Sequence, residues 1–303
     1  MDAVEISRVT KTFGSTAAVD DLSLNVPEGS VYGFIGPNGS GKTTTMRMIV
    51  NIFYPDAGAI RVFGEQLSGT RSSLIGYLPE ERGIHRKMTV RSLLEFHGEL
   101  RGGRDIAAEV LSWLEKLGLA ECASRKVETL SKGMSQKVQF IATVVPQPRL
   151  LILDEPFTGL DPVSADSIRA AILEMRRRGT TIILSTHDMN VAESLCDYIF
   201  MIYRGRKVLD GTLASIKARY GTDIIRVEVE GGSSRLDALP GIERMRDLGQ
   251  VQELRMSAGC DPQEVLRILT TRTKITNFAV ANPSLHDIFV RIAGPEAAEA
   301  TVA

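Results

Sequence analysis

The sequence is poor in the residues that mark several large classes of protein. Its three cysteines, Cys122, Cys196 and Cys260, form no C-x-x-C pair, so a disulfide framework is not indicated and we expect free thiols in a reducing compartment. Its apolar runs fall well short of the roughly 20 residues of a membrane-spanning helix. The first five residues include two acidic residues, Asp2 and Glu5, and no basic one, unlike the start of a signal peptide.

The chain also lacks an excess of either charge. Of its 303 residues, 36 are Lys or Arg and 37 are Asp or Glu, which gives a formal net charge of −1. Attachment to nucleic acid through a basic surface is therefore not indicated, and we expect no nucleic-acid partner. With 43% hydrophobic and 24% charged residues, the composition is that of a globular protein.

The order of apolar segments predicts two domains. Short apolar runs at 31–35, 150–153 and 181–184 alternate with helical patterns, as in a parallel α/β sheet covered on both faces. We predict an α/β domain over 1–221, with a mostly helical subdomain at about 89–135 in which Trp113 is a core residue. A small α+β domain is predicted over 222–294, with strands at 224–230, 251–256 and 275–281 and helices at 262–271 and 283–292, followed by a loose tail at 295–303.

A phosphate loop is the most specific motif of the first domain. Residues 36–43, GPNGSGKT, match G-x-x-x-x-G-K-[ST] in full, between an apolar run and a helix-like segment. In such loops glycines let backbone N–H groups surround phosphate oxygens, the lysine binds the β- and γ-phosphates and the last hydroxyl binds Mg²⁺. A glycine-rich turn that merely precedes a helix is the alternative. We predict that nucleotide is bound by Gly36, Asn38, Gly39, Ser40, Gly41, Lys42, Thr43 and Thr44, and Mg²⁺ by Thr43.

Two later strand ends carry candidate catalytic side chains. The run 150–153 leads into Asp154, which can hold the hydration shell of Mg²⁺, and Glu155, which can polarise an attacking water as a general base. The run 181–184 leads to His187, at the sheet edge where open α/β sheets bind ligands. The ordinary alternatives are an acidic pair that caps a strand and a structural histidine.

With the segment LSKGM at 130–134, these residues resemble the ATP-binding subunit of ABC transporters over about residues 3–218. The resemblance implies a P-loop NTPase core of ABC ATPase type, with ATP and Mg²⁺ as ligands and Mg-dependent ATP hydrolysis. It also implies that Ser131 and Gly133 close over the γ-phosphate held by a second ATPase subunit, in a head-to-tail dimer. The commonest signature is LSGGQ; because Ser131 and Gly133 are kept, we expect a working site.

The resemblance assigns roles to four further positions. Phe13 matches the aromatic residue that stacks on adenine, with a strand residue that packs inward as the alternative. Asp161 matches the loop that signals across the dimer, and His187 matches the switch histidine. Glu80 stands where the family usually has Gln, in a loop that links Mg²⁺ and the γ-phosphate to the membrane subunit. As a hard oxygen ligand, Glu80 is predicted to bind the metal.

The second domain, which ends in PSLHDIF at 283–289, resembles the accessory domain of bacterial drug, antibiotic and sodium efflux ATPases. The resemblance implies a subunit that binds and hydrolyses ATP and powers export through a separate membrane-spanning permease, in the cytoplasm on the inner face of the membrane. The alternatives are an importer ATPase, a soluble ABC ATPase and a phosphotransferase kinase. A kinase would leave Ser131, Glu155 and His187 unexplained.

Overall fold

The computed structural model of the chain describes residues 1–66, 74–80, 83, 85–102, 105–221, 223–231, 236 and 238–294. These residues form two compact units, Met1–Thr212 and 213–294. The division precedes the boundary predicted at residue 221, because the helix Leu213–Tyr220 groups with the second unit. The predicted tail, 295–303, lies outside the described residues.

The first unit alternates strands and helices. Its strands are β1 (Asp2–Phe13), β2 (Thr16–Pro27), β3 (Val31–Ile35), β4 (Ala57–Val62), β5 (Ile75–Leu78), β6 (Leu150–Asp154), β7 (Thr181–Thr186), β8 (Tyr198–Tyr203) and β9 (Arg206–Thr212). Its helices are α1 (Lys42–Ile49), α2 (Val90–Leu100), α3 (Ile106–Lys116), α4 (Lys132–Val144), α5 (Pro162–Arg177) and α6 (Met189–Leu195).

The strands of this unit form two sheets. The larger has the order β5-β6-β7-β3-β8-β9, parallel from β5 to β8 and antiparallel between β8 and β9. The smaller is antiparallel, with the order β2-β1-β4. Every residue of β3, β6 and β7 is buried. Strands covered on both faces are expected to be continuous apolar runs, so the strands predicted at 31–35, 150–153 and 181–184 are confirmed.

The order of the parallel strands determines which loops meet. β7 lies between β6 and β3, with Ser185 beside Asp154 on one side and Thr186 beside Ile35 on the other. Because neighbouring parallel strands end at the same edge of a sheet, the loop after β3 and the residues after β6 and β7 come together there.

Helices α2, α3 and α4 cover part of this unit with their own apolar faces. Trp113 on α3 is completely buried, and its ring lies edge-on to Phe140 of α4, with 6.2 Å between the ring centroids. The indole N–H donates to Glu109 Oε1 at 2.8 Å, so the polar end of the ring is satisfied. The prediction that Trp113 is a core residue is confirmed.

The second unit is a small sheet with helices. It contains α7 (Leu213–Tyr220), β10 (Ile224–Val229), β11 (Ile242–Asp247), β12 (Gln252–Met256), α8 (Pro262–Arg272), β13 (Ile275–Ala281) and α9 (Leu285–Ala293). The antiparallel sheet has the order β11-β12-β10-β13, and its core includes Ile225, Leu254, Val265 and Leu269. The predicted strands and helices of this unit are present, whereas β11 was not predicted. Among the described helices, none combines the length and the apolarity needed to cross a bilayer.

Candidate nucleotide site

The loop between β3 and α1 has two positions, Gly36 and Gly41, that only glycine fits. Gly36 has φ +157° and Gly41 has φ +110°. A Cβ atom on Gly36 would lie 2.2 Å from the carbonyl oxygen of Ile202, and one on Gly41 would lie 2.5 Å from that of Ala18. The loop therefore packs its own backbone against neighbouring backbone and leads directly into the N-terminus of α1.

Lys42 is the first residue of α1, and its side chain is buried against the loop. Its Nζ donates to the carbonyl oxygens of Gly36 at 2.6 Å and Pro37 at 3.0 Å. Burial lowers the pKa of the ammonium group, and the carboxylates of Glu155, Asp154 and Glu80 oppose that shift. The lysine is thus a cation held inside the loop with negative charge nearby.

An open cleft of about 350 Å³ lies over the loop. It is lined by Ala18, Asn38, Gly39, Ser40, Gly41, Lys42, Thr43, Thr44, Glu80 and Glu155. The structure therefore brings most of the predicted phosphate-loop residues together with Glu80 and with the predicted base, Glu155, which come from two other parts of the chain.

The two carboxylates at the end of β6 have different surroundings. Asp154 is completely buried, and its Oδ1 accepts a hydrogen bond of 2.6 Å from Ser185 Oγ. Glu155 has a left-handed backbone, with φ +48°, and its N–H donates to the same Ser185 Oγ at 2.9 Å. Glu155 Oε1 lies 2.9 Å from His187 Nδ1, and Thr158 Oγ1 donates to Glu155 Oε2 at 3.3 Å.

These residues fit an ATP-bound Mg²⁺ ion. Asp154 Oδ2 and Ser40 Oγ are both buried, and neither has a hydrogen-bond partner among the described residues. Within those residues, no group of three or more His, Cys, Asp or Glu side chains could hold a metal ion alone. Mg²⁺ commonly uses one or two protein ligands, with waters and substrate phosphates completing its octahedron, so a few oxygen ligands are sufficient.

The remaining predicted site residues do not line this cleft. Phe13 ends β1 with 46% of its surface exposed, and its ring lies edge-on to Phe53, with 5.3 Å between the centroids. Phe13 therefore does not pack inward, and the alternative of an inward-packing strand residue is wrong. A half-exposed ring held by a second aromatic residue can offer a face to a planar ligand.

Ser131 and Asp161 each begin a helix. The Ser131 hydroxyl caps α4 by accepting from the N–H of Met134 at 3.3 Å, and Asp161 caps α5 by accepting from the N–H of Ser164 at 2.9 Å. The contacts with Ser164 lower the pKa of Asp161. Gly133 faces this second cap, since a Cβ atom there would lie 3.6 Å from Asp161 Oδ2. The two helix starts are thus adjacent.

Comparison with known proteins decides the family. The family model described as "ABC transporter" matches residues 19–158, and that of the "ATP-binding protein DrrA1-3-like, C-terminal domain" matches residues 211–293. The "Daunorubicin/doxorubicin resistance ATP-binding protein DrrA" of Streptomyces peucetius is 33% identical, over 96% of this chain and 92% of that protein. The chain belongs to the family of ABC transporter ATP-binding proteins.

Two further comparisons agree with this assignment. The "Nod factor export ATP-binding protein I" of Rhizobium sp. (strain N33) is 36% identical, over 97% of this chain and 98% of that protein. A solved structure described as "Structure of ATP binding subunit of ABC transporter" superposes with a TM-score of 0.68 and 29% identity, covering 72% of this chain and 93% of that one. The ABC ATPase resemblance and the fold class are confirmed. The phosphotransferase kinase alternative is wrong, because this family hydrolyses ATP.

Sequence reasoning missed three residues of this ABC ATP-binding protein's site: Ala18 lines the cleft, Thr158 donates to Glu155, and Ser185 contacts both carboxylates. Ser185 contacts both Asp154 and Glu155, yet in the sequence it is only one of two residues between the apolar run 181–184 and His187. The signal in the sequence is that Asp154 and Ser185 each directly follow an apolar run; the structure adds that these strands, β6 and β7, are neighbours whose register places Ser185 beside Asp154.

Proposed function

We propose that this ABC ATP-binding protein hydrolyses Mg-ATP to drive export through a separate membrane-spanning permease. The observation that carries the proposal is the cleft in which Lys42 and the glycine loop face Glu155. Export is supported by the two relatives named for resistance and export, since both match nearly the whole chain, including the second unit.

The loop and Lys42 bind the phosphates. The N–H groups of the loop and the N-terminus of α1 attract an anion, and Lys42 exchanges its carbonyl partners for β- and γ-phosphate oxygens. Thr43 and Asp154 would hold Mg²⁺, and Glu80 would lie in its shell. When bound, Mg²⁺ neutralises phosphate charge and polarises the γ-phosphoryl group. Phe13 supplies a face for adenine.

Glu155 activates the attacking water. Its carboxylate accepts a proton from the water, whose oxygen bonds to the γ-phosphorus as the bond to the leaving oxygen of ADP breaks. His187 Nδ1, 2.9 Å from Glu155 Oε1, and the Thr158 hydroxyl keep the carboxylate in place. Because Glu155 is buried, its negative charge is little screened by solvent.

A second copy of the chain completes each site. Ser131, Gly133 and Asp161 do not line the cleft that contains Lys42. Ser131 is exposed at the start of α4, where its hydroxyl and the free N–H groups of the helix can contact the γ-phosphate bound by a partner subunit. A head-to-tail dimer related by a two-fold axis then contains two shared sites.

The base assignment is tested with Glu155→Gln. The variant is expected to bind Mg-ATP but to hydrolyse it very slowly, so that an ATP-bound dimer accumulates and is detected by gel filtration. Glu115→Gln, which changes an exposed carboxylate on α3, is the matched control and keeps normal hydrolysis. Near-normal hydrolysis by Glu155→Gln would mean that another group activates the water.

The permease is tested by co-expression with the product of a neighbouring reading frame that encodes about six membrane spans. We expect the chain to sediment with membranes only when that product is present, as a subunit attached to the inner face of the membrane through the permease would. Equal sedimentation with and without the product would contradict the permease partnership.

A further inference from the structure

The two carboxylates of the site share one contact, the hydroxyl of Ser185. We propose that Ser185 is a positioning residue that orients Asp154 for the metal and Glu155 for the attacking water. This inference rests on the proposed function, which makes Glu155 the base and Asp154 a metal ligand.

The hydroxyl of Ser185 has a single orientation available in this site. It has one proton, which it donates to Asp154 Oδ1 at 2.6 Å, while its oxygen accepts the N–H of Glu155 at 2.9 Å. Ser185 and Asp154 are both completely buried, so water cannot compete for these bonds. Both contacts are therefore made together or lost together.

The contact with Asp154 selects which oxygen faces the ligand. A carboxylate is planar, so fixing Oδ1 at Ser185 also fixes Oδ2. Asp154 Oδ2 is the oxygen that is buried and has no hydrogen-bond partner among the described residues. Ser185 thus leaves one defined oxygen of Asp154 for Mg²⁺ or a water bound to it.

The contact with Glu155 stabilises an unusual backbone conformation of that residue. At φ +48° Glu155 is in the left-handed region, which non-glycine residues adopt rarely and at an energetic cost. The hydrogen bond from its N–H to Ser185 supports this conformation. The side chain of Glu155 can then reach His187 and Thr158.

A second buried hydroxyl on the same strand provides a matched comparison. Thr181 begins β7, is almost completely buried, and accepts the N–H of Gly29 at 3.0 Å. It lies at the opposite end of the strand from the carboxylates. Thr181→Val therefore removes a buried hydroxyl of β7 without touching the nucleotide site.

The test compares Ser185→Ala, Ser185→Cys, Ser185→Thr and Thr181→Val in the full chain. Four quantities are measured for each variant: kcat, the KM for ATP, the Mg²⁺ concentration for half-maximal activity and the melting temperature. Loss of an outer contact of a metal site typically reduces activity or metal affinity roughly 10- to 100-fold. In Ser185→Ala we expect a loss of that size, seen as a lower kcat and a higher Mg²⁺ requirement, while the KM for ATP changes little. In Ser185→Thr, which keeps the hydroxyl, we expect both quantities to recover.

The possible outcomes distinguish a failure of the positioning role of Ser185 from a failure of the proposed function. Wild-type kcat and Mg²⁺ requirement in folded Ser185→Ala overturn the positioning role, and so does an equal loss in Thr181→Val. If Ser185→Ala does not fold, Ser185→Cys decides, because it keeps the volume but has a weaker donor: reduced kcat supports the role and wild-type kcat overturns it. Normal hydrolysis by Glu155→Gln would instead overturn the proposed function.

Discussion

Lys42 is a buried cation whose hydrogen-bond partners are backbone carbonyl groups of its own loop. Because burial lowers the pKa of the folded state below that of the unfolded chain, keeping the ammonium charged costs folding free energy at neutral pH. The residue is explained better by ligand binding than by stability. Removing it should therefore damage nucleotide binding and leave the fold intact.

We expect Lys42→Ala to weaken ATP binding by roughly 10- to 100-fold, since hydrogen bonds to charged groups contribute about 1.5–3 kcal/mol. Its melting temperature should be unchanged or higher. Lys137→Ala is the control, because Lys137 Nζ also donates to a backbone carbonyl, that of Leu117, outside the cleft. Titration with a fluorescent ATP analogue, beside thermal melting, measures both effects. Undiminished ATP binding would contradict the phosphate-loop assignment.

Glu80 is exposed and lines the same cleft as Lys42. If its carboxylate enters the Mg²⁺ shell, Glu80→Gln should raise the Mg²⁺ concentration needed for half-maximal hydrolysis, because a neutral amide is a weaker ligand for a hard cation. Glu128→Gln is the control, since Glu128 lines a neighbouring cavity together with Glu80 but not the phosphate cleft. The same Mg²⁺ titration in both variants and the wild type would reject the metal role.

At the scale of elements, the end of β1 is held by the turn before β4. Asp56 Oδ2 accepts from the N–H and the hydroxyl of Thr12, both at 2.7 Å, and its Oδ1 accepts from Lys11 Nζ at 2.7 Å. The N–H of Asp56 donates to the carbonyl oxygen of Thr10 at 2.8 Å. These bonds fix the segment that ends in Phe13.

We expect Asp56→Ala to raise the KM for ATP several-fold with little change in kcat, because Phe13 would lose the fixed position from which we propose that it stacks on adenine. Inhibition by tripolyphosphate, which has no base, should be unaffected. Asp21→Ala is the control, since Asp21 also forms an exposed ion pair with β1, through Arg8, but it belongs to β2 and not to the turn before β4. An unchanged KM in Asp56→Ala, with a raised KM in Phe13→Ala, would show that the turn does not position the ring.

The lowered pKa of Asp56 predicts how the stabilisation by this turn depends on pH. Hydrogen bonds from the Lys11 side chain and from Thr12 lower the pKa of Asp56 to about 2. A carboxyl group with a lowered folded pKa stabilises the fold fully above its unfolded pKa of about 3.9, and this contribution is lost as pH falls toward the folded pKa. The melting-temperature difference between wild type and Asp56→Asn should be constant from pH 7 to pH 5 and shrink below about pH 4. A constant difference down to pH 3 would contradict this account.

The elements that carry the site differ in how well their sequences predict them. β3, β6 and β7 were predictable because a strand covered on both faces is a continuous apolar run. β11 was not, because four of its six residues are charged and a register shift between Ile242 and Arg244 interrupts the alternation. Ser185 was overlooked because a hydroxyl at a strand end is ordinary in sequence, and its role depends on the neighbouring strand.

At the scale of the whole molecule, the proposed site is incomplete in one chain. Lys42 and Glu155 line one cleft, whereas Ser131 caps a helix outside that cleft. If two chains share their sites head to tail, Lys42 and Ser131 of the same chain serve different ATP molecules. Defects at these two positions should then complement each other between chains.

The last prediction uses Lys42→Ala in one preparation and Ser131→Arg in another. Each homodimer has two defective sites and should be nearly inactive. In the mixed dimer, the intact loop of the Ser131→Arg chain faces the intact Ser131 of the Lys42→Ala chain, so one complete site is restored. Hydrolysis should return on mixing, below the wild-type rate. Differently tagged Lys42→Ala chains mixed with each other are the control and should stay inactive.

Two measurements make this result decisive. Ser131→Arg removes the cap of α4, which costs about 1 kcal/mol of stability, so its melting temperature must show that the chain remains folded. Occluded ATP is counted beside hydrolysis, because two coupled sites could hold one ATP and still turn over slowly. Pull-down through one tag shows whether heterodimers form. If they form but recover neither ATP occlusion nor hydrolysis, the shared site is disproved, because each mixed dimer contains every residue that one complete site requires.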